Sequence, residues 1–246
     1  LDLLKNNNEK IVMLENIRFY DEEEKNDYKF AKHLSSLGDI YVNDAFSCSH
    51  RSHASISQIT KFLPSYSGLQ MEVEMTALRK ITSEIKKPIT CIIGGSKIST
   101  KIDVIKNLIS KFDNIIIVGG MANNVIKHMG YEIGKSLHED NAEKIIEEIF
   151  SLSKKGKCNI FFPQDVVVAN DKNGVPFQKE IGKISSEEMI LDIGEKTIKM
   201  IEGIITESKT VFWNGPAGFF ENKNFANGSI KIAKKIVDNS KAKKIY

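Results

Sequence analysis

Three apolar runs in the second half of the chain each end in a glycine turn: ITCIIGG (Ile89–Gly95), NIIIVGG (Asn114–Gly120) and TVFWNGPAG (Thr210–Gly218). Short apolar runs of this kind suit strands buried on both faces, and such strands belong to parallel sheets covered by helices. Ligands of open parallel sheets sit at the carboxyl ends of the strands, so the three glycine turns gather along one sheet edge. Glycine permits positive φ and close approach to backbone amides, and a helix N-terminus beyond it supplies oriented donors. Neither G-x-G-x-x-G nor G-x-x-x-x-G-K-[ST] occurs, so a dinucleotide fingerprint and a Walker A loop are both absent from the sequence.

The remaining pattern extends the α/β reading. Lys10–Phe19 reads as a strand, Lys25–Gly38 as a helix and Asp39–Phe46 as a second strand, a β-α-β order. From Gly68 a long helix is predicted, with Val73, Ala77, Leu78, Ile81 and Ile85 on one stripe and Lys-Lys-Pro at its end. Beyond the strands already named, helices are predicted over Ile98–Phe112, Met121–Met129, Asn141–Lys155, Gly194–Glu207 and Asn227–Asn239, and a strand over Cys158–Pro163. The closing KKIY starts a further strand. The fold class expected is α/β, with two Rossmann-like parallel-sheet lobes joined by a long interdomain helix, both lobes incomplete because the chain looks cut at each end.

Composition narrows the partners. The 246 residues carry 41% hydrophobic and 27% charged side chains and a net charge of +3, with lysine interleaved among acids rather than clustered. A duplex reader normally shows a concentrated basic face, so nucleic acid is not expected as a partner. No run approaches the ~20 apolar residues of a membrane span. No signal peptide is recognised, and a cytoplasmic location is expected. The three cysteines, Cys48, Cys91 and Cys158, are far apart and read as reduced thiols. Only three of the 35 basic residues are arginines, Arg18, Arg51 and Arg79, and a lysine-biased chain keeps arginine where a planar fork grips carboxylate or phosphate.

Two constellations bear chemistry. In GGSKISTK, Lys97 and Lys101 stand four apart at a predicted helix start. There like charges repel by roughly 0.2–0.5 kcal/mol and the helix dipole adds about 0.3–1 kcal/mol per cation. An anion is the natural compensation, although surface lysines beside packing glycines fit the same letters. In VNDAFSCSHRSHAS (Val42–Ser55), Arg51 lies among hydroxyl and imidazole donors, and LENIRF places Arg18 at the end of a neighbouring predicted strand; a salt bridge from Arg18 to Glu15 or Asp44 is the alternative. Cys48, His50 and His53 lack a fourth zinc ligand nearby, so no metal site is assigned.

VMLENIRF, YVNDAFSCSHRSHAS, IIGGSKISTK, VGGMAN, ILDIGEKT and VFWNGPAGFFE follow one another in the order and approximate spacing of the phosphoglycerate kinase family, which the chain resembles in its bacterial form over nearly its whole length. The resemblance implies reversible phosphoryl transfer between 1,3-bisphosphoglycerate and ADP, giving 3-phosphoglycerate and ATP with Mg2+, by a monomer. It implies that Arg18 and Arg51 hold the glycerate-side phosphate, that Lys97 follows the transferred phosphoryl and that Lys101 grips nucleotide phosphates. Gly95, Gly119, Gly120, Gly215 and Phe220 would shape the nucleotide cleft, with Asn214 near the phosphates and Glu221 at the ribose.

The domains implied are 1–68 for the phosphoglycerate lobe, 69–87 for the interdomain helix and 88–246 for the nucleotide lobe, with Gly68 and Pro88 as hinge points. The family's Asp-x-Asn loop, His-Leu-Gly-Arg segment and Gly-Gly-Gly-Asp-Thr loop, whose aspartate places magnesium, do not occur in the sequence. Val118 replaces a common third glycine and Ala217 a common valine. The 246 residues alone are therefore expected to have negligible kinase activity and weak nucleotide affinity. A non-catalytic remnant and a nicotinamide-dependent oxidoreductase are the competing readings, the latter without its glycine fingerprint.

Overall fold

The computed structural model describes residues 11–83, 86–239 and 244–245, with side chains at 11–79 and 86–239. The chain divides into two compact units, Leu1–Glu84 and Ile85–Tyr246.

In the first unit, a 3-10 turn at Ile17–Phe19 precedes α1 (Asp21–Glu24) and α2 (Tyr28–Ser35). Lys10–Phe19 does not form the predicted strand where it is described. Ile11 and Met13 are almost fully exposed, and the Asn16 side chain caps the 3-10 turn by accepting from the Arg18 amide at 3.1 Å. An extended segment without a ladder partner has nothing to satisfy its amides as a strand does. The predicted helix over 25–38 starts later, because Asp27 caps α2 by accepting from Phe30 N at 2.8 Å.

Two short strands, β1 (Tyr41–Asn43) and β2 (Ser65–Ser67), pair in parallel with Tyr41 opposite Ser65. α3 (Leu69–Ser83) begins where Asp44 Oδ1 accepts from Met71 N at 2.9 Å. A Cβ on Gly68 would lie 2.3 Å from that carboxylate, so only glycine lets the cap close. The stripe predicted along α3 is not the buried face. Val73 and Leu78 are exposed, and Met71, whose amide Asp44 holds, is buried. The Ile81 side chain and Ile85 fall outside the described side chains.

The second unit holds a five-stranded parallel sheet in the order β10-β9-β3-β4-β5, formed by β3 (Ile89–Ile93), β4 (Asn114–Ile117), β5 (Asn159–Phe161), β9 (Thr210–Asn214) and β10 (Lys244–Ile245). Every residue of β3 is buried, as the unalternating sequence requires. Its odd-numbered side chains, Ile89, Cys91 and Ile93, pack with Ile105 and Ile109 of α4 (Ile102–Ile109), Val125 of α5 (Gly120–His128) and Ile146 of α6 (Glu143–Gly156). Ile92 points the other way, joining Ile198 and Ile201 of α7 (Glu195–Glu207) and Ile232 of α8 (Asn227–Asp238). Each such isoleucine contributes about 1.5–3 kcal/mol on burial, so helices on both faces are the stable arrangement.

A second, antiparallel sheet in the order β7-β6-β8 was not predicted from the sequence. It consists of β6 (Asp165–Ala169), β7 (Phe177–Glu180) and β8 (Met189–Ile193), with a register shift between Val167 and Val168. Asp165 ties it to α7. The buried carboxylate accepts from the amides of Lys196 and Thr197 and from the Thr197 hydroxyl at 2.6–3.0 Å. Capping the helix N-terminus satisfies the charge that burial would otherwise penalise.

Candidate functional site

The three glycine turns meet at the carboxyl edge of the parallel sheet and bond to one another. Gly94 N donates to Asn214 O at 2.8 Å, Val118 N to Ile93 O at 2.9 Å, Gly119 N to Ala217 O at 3.1 Å and Met121 N to Gly95 O at 2.9 Å. Gly95, Gly119 and Gly215 have φ of 132°, 65° and 87°, which L side chains rarely adopt. A Cβ on Gly94 would sit 2.2 Å from Pro216 O, and one on Gly215 would sit 2.5 Å from Gly94 O. These glycines allow the turns to interlock as well as leaving the backbone open to a ligand.

Beside the turns lies a cavity of about 420 Å3, walled on one side by Gly95, Gly119, Gly120 and Pro216 and on the other by Val166 and Leu191 of the antiparallel sheet. Its wall is mainly apolar, with Asp192, Lys172, Lys135 and Glu221 at its polar points. The Lys172 ammonium stands 5.4 Å from the centre of the Phe219 ring, also in the wall. α5 starts at Gly120, which lines this space, while the next two amides are already taken, Met121 N by Gly95 O at 2.9 Å and Ala122 N by Gly119 O at 3.0 Å. An apolar slot of this size with cations at its polar points can take a flat apolar group that carries an anionic tail.

The cationic turn differs from its sequence reading. Lys97 precedes a 3-10 turn at Ser99–Lys101, and Lys101 is the residue before α4, so the two lysines do not share a helix face. Lys101 Nζ instead donates to Asn214 Oδ1 at 2.9 Å. Lys97 is exposed, and its charge acts on Glu139. Burial pushes the Glu139 carboxyl up, but bonds from the Ser99 hydroxyl, the amides of Ser99 and Ile98 and the charge of Lys97 together draw it below the usual carboxylate range.

Of the other candidate residues, Gly95, Gly119, Gly120 and Glu221 line the cavity. Gly215 acts through the interlocked backbone. Phe220 is half exposed, and the wall takes its neighbour Phe219. Arg18 and Arg51 belong to the first unit, where both are exposed; Arg51 N donates to Cys48 O at 3.0 Å. Nearby, the buried Glu23 accepts from Ser55 N at 2.9 Å and from the Ser55 hydroxyl at 2.6 Å, with His53 Nδ1 3.7 Å away, which pins the loop after Arg51.

Asp192 was missed in the sequence, although an acid inside ILDIG was a signal. Burial pushes its carboxyl up to about 6 against the pull of the Gly228 and Ile193 amides. Among the described residues no three His, Cys, Asp or Glu side chains cluster to hold a metal ion. The Lys101–Asn214 edge offers an ammonium and one amide oxygen, where a resident Mg2+ would need several oxygen ligands. No described helix is long and apolar enough to cross a membrane.

The phosphoglycerate kinase family model matches residues 2–246. The phosphoglycerate kinase of Wolbachia pipientis subsp. Culex pipiens (strain wPip) is 47% identical over 229 residues, covering 93% of this chain and 58% of the relative. That of Dictyoglomus turgidum is 44% identical over 231 residues, with 93% and 58% covered. The chain thus spans 58% of the length of these relatives. Among solved structures, phosphoglycerate kinase from Coxiella burnetii aligns with a TM-score of 0.80 at 32% identity, over 92% of this chain and 59% of that one. The enzyme from Pyrococcus horikoshii OT3 aligns with a TM-score of 0.78 at 26% identity over the same shares.

Proposed function

The chain belongs to the phosphoglycerate kinase family, and from that premise we propose that it serves glycolytic phosphoryl transfer between 1,3-bisphosphoglycerate and ADP, giving 3-phosphoglycerate and ATP. The observation that carries the reading is the apolar cavity opening beside three interlocked glycine turns, with the Lys101–Asn214 pair at the same sheet edge. The nucleoside occupies the cavity with Glu221 at the ribose. Gly95, Gly119, Gly120 and Gly215 shape the wall, and Phe219 supplies the aromatic surface beside Phe220. The phosphates, with Mg2+, run toward Lys101 and Asn214.

Lys97 follows the transferring phosphoryl. The charge in such a transfer spreads over equatorial oxygens, so positioning and electrostatic stabilisation are the protein's main tasks, and a mobile ammonium suits a moving group. Arg18 and Arg51 hold the glycerate-side phosphate, where a rigid fork suits an anchored anion. The division proposed is 1–68 for the phosphoglycerate lobe, 69–87 for the connecting helix and 88–246 for the nucleotide lobe, with hinge points at Gly68 and Pro88. We take the protein as a cytoplasmic monomer.

Titration of the sole tryptophan, Trp213, tests the reading. Its Nε1 donates to Gly215 O at 2.7 Å, so a ligand that moves the glycine turn alters its fluorescence. ADP is expected to saturate the signal and NADH to leave it unchanged. A response to NADH at equal or lower concentration than to ADP would overturn the nucleotide assignment in favour of a nicotinamide enzyme.

A further inference from the structure

Glu139 lies 40 positions from Ser99 yet accepts two bonds from it, from the amide at 3.0 Å and from the hydroxyl at 2.5 Å. The Ile98 amide and the Lys97 charge act on the same carboxylate. Its own backbone is fixed in turn, since Glu139 N donates at 2.8 Å to the Asn124 side chain on α5. A single acid therefore ties the turn after β3 to the helix that begins at Gly120, and so joins two of the three glycine turns. The amides of Ser96 and Lys97 donate to no group among the described residues. The carboxylate takes the donors at 98–99 and leaves those at 96–97 for a ligand.

We propose that Glu139 is a positioning residue, holding the Ser96–Lys101 turn, and with it the Lys97 and Lys101 ammonium groups, in the form that receives nucleotide phosphates. The inference rests on the nucleotide reading of the cavity. An ordered cationic turn loses less freedom when phosphate binds, so releasing it weakens the phosphate end of the ligand and leaves the nucleoside end alone. That separation distinguishes positioning from general structural support.

The test titrates the 246-residue chain with adenosine and with ADP, unaltered and as Glu139→Ala, Glu139→Gln, Ser99→Ala and the Glu139→Ala/Ser99→Ala double variant. The unaltered chain is expected to bind both. Glu139→Ala weakens ADP by roughly tenfold, within the usual range of coupling between linked groups. Adenosine affinity is unchanged, and Glu139→Gln falls between. Because Ser99 and Glu139 act as one unit, the double variant is no worse than Glu139→Ala. Should Glu139→Ala fail to fold, Glu139→Gln and Ser99→Ala carry the same comparison. Unchanged or tighter ADP binding, or an equal loss for adenosine, overturns the proposal. Failure of the unaltered chain to bind either probe overturns the nucleotide reading and the proposal with it.

Discussion

Lys101 and Asn214 stand 113 positions apart, yet the ammonium of one meets the amide oxygen of the other at 2.9 Å on the carboxyl edge of the sheet. The pairing follows from strand order. β3 and β9 are neighbours with Ile93 opposite Asn214, so the residue closing β9 reaches the turn leaving β3. The acceptor is a neutral amide and not an acid. Replacing Lys101 by methionine removes a charge-assisted bond of roughly 1.5–3 kcal/mol to phosphate, so ADP affinity should fall at least tenfold. The melting temperature should stay close to that of the unaltered protein. Calorimetric titration beside a thermal melt checks both; full ADP affinity in the variant would remove Lys101 from the site.

Gly94→Ala tests the interlock. The added Cβ would lie 2.2 Å from the Pro216 carbonyl and 3.0 Å from that of Gly215, both backbone atoms that cannot swing aside. A loss of about 3 kcal/mol is expected, typical of overpacking a closed contact. Denaturant unfolding measures it, and a loss below a few tenths would show that the turns have slack.

Asp192 predicts a pH dependence whose sign is opposite to that of an ordinary ion-paired carboxylate. Its folded pKa is about 6 against an ordinary value of 3.8, so the folded state holds the proton longer. The stability this group contributes is full below about 4 and is lost as pH rises through 6, by about 3 kcal/mol for a shift of that size. In Asp192→Asn that change is absent. The difference in unfolding free energy between the two proteins, measured at pH 4 and pH 7, should therefore shift by about 3 kcal/mol in favour of the variant at the higher pH. A constant offset would show that Asp192 titrates normally.

Thiol labelling should separate the cysteines. Cys91 and Cys158 are buried, and burial pushes both thiols up, Cys158 to about 11. Little of either is thiolate at pH 8, and thiolate is the reactive form. Cys48 is partly exposed. One fast modification is expected in the folded protein, abolished by Cys48→Ser, with the other two thiols reacting only on unfolding. Mass spectrometry of partly labelled protein checks the order, and early modification of Cys91 would contradict its burial.

Much of the sheet could be read from contiguous letters. The unbroken apolar text of Ile89–Ile93 says that both faces are covered, and β3 is buried throughout. The glycines marked the edge where a ligand could approach. In the antiparallel sheet only β7 was illegible, because Phe177–Glu180 carries no apolar alternation, whereas the apolar runs of β6 and β8 were legible and were passed over. β7 is ordered by pairing with β6, Val166 against Lys179, and by the Asp165 cap on α7. Lys10–Phe19 failed in the opposite sense, since its apolar residues look like a strand but no described neighbour completes a ladder.

What the sequence by itself determined was local: where the chain is apolar on both sides of a strand, where φ must be free to turn positive, and which cations stand near those turns. Only the tertiary structure decided which partner each cation meets, that Glu139 clasps Ser99, and that Asp192 is buried in a cavity wall. Patterning and backbone freedom act over neighbouring residues and can be read in order. A hydrogen bond between residues 40 or 113 positions apart depends on how strands and helices pack, which no short stretch encodes.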